Sequence, residues 1–190
     1  VELHGFLVIV HMIGSVLGVG GATASDFTFL RSIKDRRLGA DEFNILKTLS
    51  RLLWTGLILL IISGIGFLIN QYVQAGQIHL LSDPRFLAKM TIVFVILANG
   101  IVFHTLVIPY LKKQIGKEFS LKKFGAKFYL ISTTGAISII SWYSTFLLGI
   151  LRSIELPYLI LIKTYIILVL FGILVSFAML YYKTTHKTNY

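Results

Sequence analysis

The chain has 190 residues, of which 56% are hydrophobic and only 14% charged, and its formal net charge is +10. A soluble domain averages about 25% charged residues, and a mean hydropathy of +0.82 is too high for one. The absence of cysteine excludes disulfides, thiolate-bound zinc, iron–sulfur clusters and thioether-attached haem.

The apolar residues fall in long uncharged runs, each close to the roughly 20 residues a helix needs to cross about 30 Å of hydrocarbon. In chain order they predict spans at about Leu3–Leu30, Leu52–Asn70, Phe86–Leu111, Phe128–Ile150 and Pro157–Tyr182. The connections 31–51, 71–85, 112–127 and 151–156 are short enough for consecutive helices to pack antiparallel. The expectation is an all-α fold: a polytopic membrane bundle of five transmembrane helices forming a single domain over residues 1–190. The first run starts with Glu2 and has no basic leader, so it reads as a permanent span rather than a cleaved signal.

Charge sets the expected orientation. Arg31, Lys34, Arg36, Arg37, Lys47 and Arg51 occupy the first connection, and Lys112, Lys113, Lys117, Lys122, Lys123 and Lys127 the third. Lys183 and Lys187 add to the tail, so most of the 18 basic residues share one side. Basic loops stay cytoplasmic, which places the N-terminus outside and the C-terminus in the cytoplasm. The positive charge complements anionic lipid of the bilayer; with no soluble recognition module present, no nucleic-acid partner is expected. A weak internal repeat relates LAKMTIVFVILANGI in span three to LIKTYIILVLFGILV in span five, aligning Lys89 with Lys163.

Helices associate in lipid through small residues and through polar groups that need partners. Span one carries such a stripe: His4, His11, Gly18 and Ser25 recur every seven residues, with Leu7, Gly14 and Gly21 between them. Span two repeats Gly56, Ser63 and Asn70; span three places Lys89, Gly100 and His104 on roughly one side; span four offers Gly135, Ser138, Trp142, Thr145 and Gly149. A face of this kind accepts either another helix or a flat cofactor.

Of the five histidines, His79 and His186 read as solvated side chains and His4 as an interfacial one. His11 and His104 lie within apolar helix, where an ionisable group is a candidate functional residue. Imidazole is a common axial ligand of haem and also binds copper. A haem b is therefore one expectation, with His11 and His104 as ligands and Gly14, Gly18 and Gly21 leaving room for the macrocycle. Trp142 would wall it, and Arg51, Lys89 or Lys163 would pair with propionates. Depth argues against both histidines on one iron: His11 lies about 10 Å and His104 about 27 Å from the outer surface. Two sites, or one ligand and one structural histidine, remain open. Copper is the alternative, with His4, His11, Met12 and Met90 in the outer half. Asp26 is the one carboxylate placed to enter the bundle, and it is expected to pair with an arginine or cap the loop. No Walker loop, Gly-x-Ser-x-Gly or His-Glu-x-x-His appears.

Over about residues 4–110, HMIGSVLGVGG, LSRLLWTGLILLIISGIGFL and LLSDPRFLAKMTIVFVILANG resemble the copper-resistance D-like (CopD-like) membrane proteins, a superfamily that also takes in the HemJ-related protoporphyrinogen oxidases. The resemblance rests on His11 with Gly20 and Gly21, Arg51 with Ser63 and Gly64, and Lys89 behind its SDPRF lead. It implies haem b binding or copper handling through such a histidine, and a multi-pass protein of a bacterial-type inner (plasma) membrane. GATASDFTFLR stands where the HemJ-related proteins carry aromatic, proline and arginine residues. Three functions follow as expectations: a b-type haem protein in electron transfer, with a redox partner subunit or as a homo-oligomer; a copper or small-solute transporter; or a non-catalytic anchor or assembly subunit.

Overall fold

The computed structural model describes residues 2–34, 37–117, 126–151 and 155–185. Arg36, Lys122, Lys123, His186 and Lys187, all weighed above, lie outside the described residues. Among those described, five helices are long and apolar enough to cross a membrane: α1 (Glu2–Lys34), α2 (Ala40–Ala75), α3 (Pro84–Lys112), α4 (Ala126–Ile150) and α5 (Tyr158–Thr185). In hydrocarbon each backbone polar group must bond within its own segment, which is why uncharged runs become unbroken helices. Their outer faces are apolar and bare, Phe94 remaining 70% exposed, as suits side chains that meet lipid.

The largest departure from expectation is α2, which starts at Ala40 rather than near Leu52. Lys47 and Arg51 interrupt the hydropathy, yet Phe43, Leu46 and Ser50 recur at helical spacing and are buried, so the segment is an amphipathic helix. Gly39 begins it in an extended conformation, its N–H donating to the Glu42 carboxylate, with Asp41 and Glu42 in the first turn, where acidic groups complement the helix dipole. The far end stops at Gly76, whose φ of 66° is open to glycine at little cost; its N–H donates to the Tyr72 carbonyl at 2.8 Å. A short 3₁₀ turn, His79–Ser82, leads to the cap of α3, where Asp83 accepts from the Arg85 backbone N–H at 2.8 Å and Pro84 follows.

Between Phe103 and Val107 α3 widens into a π turn. Pro109 has no N–H to return to the preceding turn, and Ile108 N–H bonds to the Phe103 carbonyl five residues back. Strict α geometry would turn Leu111 about 140° away from Ala88. The wide turn takes up part of that rotation, so both are buried, while His104, Thr105 and Leu106 are carried to the outer surface.

Helix α1 packs along α2 and also against α4, and α4 in turn packs on α3 and α5. Although consecutive, α2 and α3 are not close neighbours along their length, and the indole of Trp54 reaches across from α2 towards Gly100. The two helices that carry the weak repeat are thus packed differently: α5 touches the helix before it, α4, whereas α3 stands apart from α2. One apolar cluster holds Ala22, Leu57, Ile92, Ile96, Trp142 and Tyr165; a second, around Leu38, Phe43, Leu111 and Phe128, lies near the basic end. There Arg31, Arg37, Lys47, Lys112, Lys113, Lys117 and Lys127 are all exposed, so the described basic residues of the first and third connections do share one end of the bundle.

Candidate functional site

The site begins with a hydroxyl. Ser63 on α2 is fully buried, and in a helix such a side chain bonds back to the preceding turn. Its Oγ donates to the Leu59 carbonyl at 2.7 Å. Facing it, 2.9 Å away, is Nδ1 of His11 on α1. A hydroxyl has one proton; with that proton on the preceding turn, the usual place for a helical serine, Ser63 accepts from His11. Nδ1 then carries the hydrogen, and the lone pair of a neutral ring is left on Nε2.

Phe67, one turn beyond Ser63, stands edge-on to the His11 ring at a centroid distance of 5.6 Å and contacts the His4 ring at 5.6 Å. Lys89 of α3 is near enough for its charge to act on His11, and its ammonium lies beside Gly149 of α4. The imidazole is thereby fixed on one side by Ser63 and bordered by an aromatic ring, with a cation in the vicinity.

The glycines do something else. A methyl group on Gly14 would lie 2.9 Å from the Gly56 carbonyl oxygen, and one on Gly56 would lie 2.8 Å from that of Gly14. The two backbones touch, which brings Ser63 within reach of His11. Gly18 is covered by the Trp142 indole, which is only 3% exposed, and Gly21 by Leu53. Gly14, Gly18, Gly21 and Trp142, expected beside a cofactor, form the seam that locks α1 to α2 and α4.

The remaining candidates are dispersed. His104 is exposed on the π turn and is not brought to His11. His4 is exposed at the same end of the bundle as His11. Lys163 is exposed on α5, and Arg51 is exposed about 18 Å along α2 from Ser63. Asp26 lies beside Gly135 of α4, and among the described residues neither an arginine nor a hydrogen-bond donor pairs with it. No three His, Asp or Glu side chains among the described residues are grouped to hold a metal ion.

No family model, curated protein or solved structure matches this chain. The chemistry of the site is therefore argued from its donors.

Ser63 was visible in the sequence as a heptad partner of Gly56, but not as the residue that orients the histidine. The available signal was the shared seven-residue spacing of Gly14 and Gly21 on one helix and Gly56 and Ser63 on the other. Two small-residue stripes at one spacing can zip together, and the polar side chains flanking them then meet.

Proposed function

We propose that the protein is a membrane-embedded b-type haem protein in which His11 supplies an axial ligand through Nε2. The observation that carries this reading is the 2.9 Å bond between His11 and Ser63. Metal-ligating histidines characteristically spend their second ring nitrogen on a hydrogen bond that fixes tautomer and orientation, and Ser63 does this here.

The donor set favours haem over bare copper. Copper held by side chains alone takes several donors, and the described residues bring together no three His, Asp or Glu side chains. Haem iron arrives with four porphyrin nitrogens and asks the protein for one or two axial groups, which a lone oriented imidazole satisfies. The residues fit the group as a one-histidine site. Gly56 and Trp142 cover the Gly14–Gly18 face, so a macrocycle held by His11 would lie off that face, and His104, exposed on the π turn, would not share its iron. Lys89, its ammonium beside Gly149 of α4, would add positive charge on the propionate side. Bound haem would supply a one-electron ferrous–ferric store; Ser63 would hold the His11 ring in place and Phe67 would border it. Function as a carrier requires an electron donor and acceptor, hence a redox partner subunit or a second copy. We place the chain in a bacterial-type plasma membrane with its basic end cytoplasmic.

The test is an optical spectrum of protein purified from haem-replete cells. A Soret band and a pyridine haemochrome near one haem per chain are expected, lost in His11→Ala and kept in His104→Ala. Colourless wild-type protein overturns the reading.

A further inference from the structure

Helices α2 and α3 meet at two levels. Phe43 and Leu46 of α2 share the apolar cluster at the basic end with Ile108 and Leu111 of α3, and deeper in the bundle the Trp54 indole approaches Gly100. Arg51 stands one turn from Trp54 towards the basic end, and His104 one turn from Gly100 in the same direction. Residues three and four apart share a helix face, so the two side chains flank the α2–α3 gap at one level, between its two contacts. Both are exposed, as is Lys47, a further turn along the Arg51 face.

These side chains sit where hydrocarbon begins. No Asp, Glu, Lys or Arg follows Arg51 until Asp83, and none stands between Lys89 and Lys112, the run in which the π turn carries His104 outward. Wide turns of this kind are frequent at functional sites, and ionisable groups at membrane depth need partners. Among the described residues the side chains of Lys47, Arg51 and His104 have none. The nearest carboxylates on α2, Asp41 and Glu42, lie about 14 Å or more towards the helix start, and Asp26 is turned inward beside Gly135 of α4. Two cations and an imidazole, which offers an N–H in either charge state, select an anion. The surroundings say where it comes from: Leu52, Ile58, Ile101 and Leu106 are exposed and apolar, so the anion carries a hydrophobic body. Basic pockets between membrane helices take phospholipid headgroups in this way.

We propose that the lipid-facing mouth of the α2–α3 gap binds an anionic glycerophospholipid, its phosphate on Arg51 and His104, Lys47 beside the headgroup and an acyl chain against Trp54. Arg51 is about 18 Å along α2 from Ser63, and the proposal stands or falls separately from the haem reading. Of the chain's two tryptophans, Trp142 is only 3% exposed and Trp54 is partly exposed, so a lipid brominated on its acyl chains near the glycerol quenches Trp54 selectively. The full chain is reconstituted in phosphatidylcholine bilayers with rising fractions of brominated phosphatidylglycerol, and brominated phosphatidylcholine serves as the comparison. Phosphatidylglycerol should be preferred about fivefold, the worth of one basic residue at a membrane surface. Arg51→Gln should abolish the preference, and His104→Leu should lower it about threefold, the scale for one hydrogen bond. Lys117→Gln, at the same end but outside the gap, should leave it unchanged. The comparison of the two lipids on wild-type protein needs no variant, so it decides the matter even if Arg51→Gln does not fold. Equal quenching by the two lipids, an undiminished preference in folded Arg51→Gln, an equal fall in Lys117→Gln, or relief of quenching by millimolar inorganic phosphate each overturns the proposal.

Discussion

His11 Nδ1 and Ser63 Oγ, 52 positions apart in the chain, lie 2.9 Å from one another across the α1–α2 seam. With the Ser63 proton on the preceding turn, where Leu59 accepts at 2.7 Å, the bond runs from His11 to Ser63 and leaves Nε2 for coordination. Replacing Ser63 by alanine removes the acceptor while leaving the helices in contact through Gly14 and Gly56. Loss of such an orienting partner costs about ten- to hundredfold in affinity for a ligated metal. Ser63→Ala is expected to lower haem occupancy accordingly, and Ser63→Thr to restore part of it. The readout is the Soret absorbance per mole of protein at limiting haem, and full occupancy in Ser63→Ala would show that the bond does not orient a ligand.

The Gly14–Gly56 contact makes a separate prediction about packing. A side chain at Gly56 meets backbone, the Gly14 carbonyl oxygen at 2.8 Å and the Gly18 nitrogen at 3.0 Å, and backbone cannot rotate away as a rotamer can. Gly56→Val forces the helices apart at a cost of about 1–3 kcal/mol, the usual scale for overpacking. Denaturant titration in mixed micelles should show that loss. Gly64→Ala, on the same helix with open space around it, should be neutral or slightly stabilising, as alanine is the better helix former.

Orientation can be tested without background labelling, because the chain contains no cysteine. Single cysteines at Lys117 and Gln77 lie at opposite ends of the bundle. The concentration of basic residues at the Lys117 end predicts that it is cytoplasmic. An impermeant maleimide added to intact cells should label Gln77→Cys and spare Lys117→Cys until the membrane is opened, and the reverse pattern would invert the topology.

The five spans were legible because uncharged runs of sufficient length leave the backbone no other structure in hydrocarbon. The early start of α2 was less so: Lys47 and Arg51 break the hydropathy, and only the burial of Phe43, Leu46 and Ser50 on the opposite side shows why the helix persists. His11 and the small-residue stripe were evident from spacing, but what covers a stripe is a tertiary fact. The Trp142 indole lies on Gly18 and Gly56 abuts Gly14, and no local pattern distinguishes those occupants from a flat cofactor. His104 reads as buried by sequence because apolar residues surround it, yet a π turn caused by a proline five positions later carries it outward. Asp26 reads as a charge in need of an arginine; it lines instead a space shared with the hydroxyls of Ser50 on α2 and Ser138 on α4, a neighbourhood only the packed bundle assembles.

At the N-terminus of α3, Asp83 accepts from the Arg85 backbone N–H at 2.8 Å and pairs with its guanidinium at 3.3 Å. Partial desolvation pushes the Asp83 carboxyl up, but the hydrogen bonds and charge of Arg85, with a backbone bond from Phe86, outweigh it and hold the group below its ordinary value. A carboxylate with a depressed native pKa contributes stability that is complete above the unfolded value of about 3.9 and is lost as pH falls through the native one. The pair is roughly a third exposed, so the charge contact itself adds little, and the cap is the larger part. Asp83→Ala should therefore cost about 1 kcal/mol near neutral pH, Asp83→Asn much less because the amide oxygen still caps. Below about pH 4 the difference between wild type and Asp83→Ala should shrink towards the smaller one that a neutral, still-capping side chain leaves. Unfolding titrations of the three proteins at pH 7 and at pH 3 check this, and a difference between wild type and Asp83→Ala that survives undiminished at pH 3 would place its origin in packing rather than in the ionised cap.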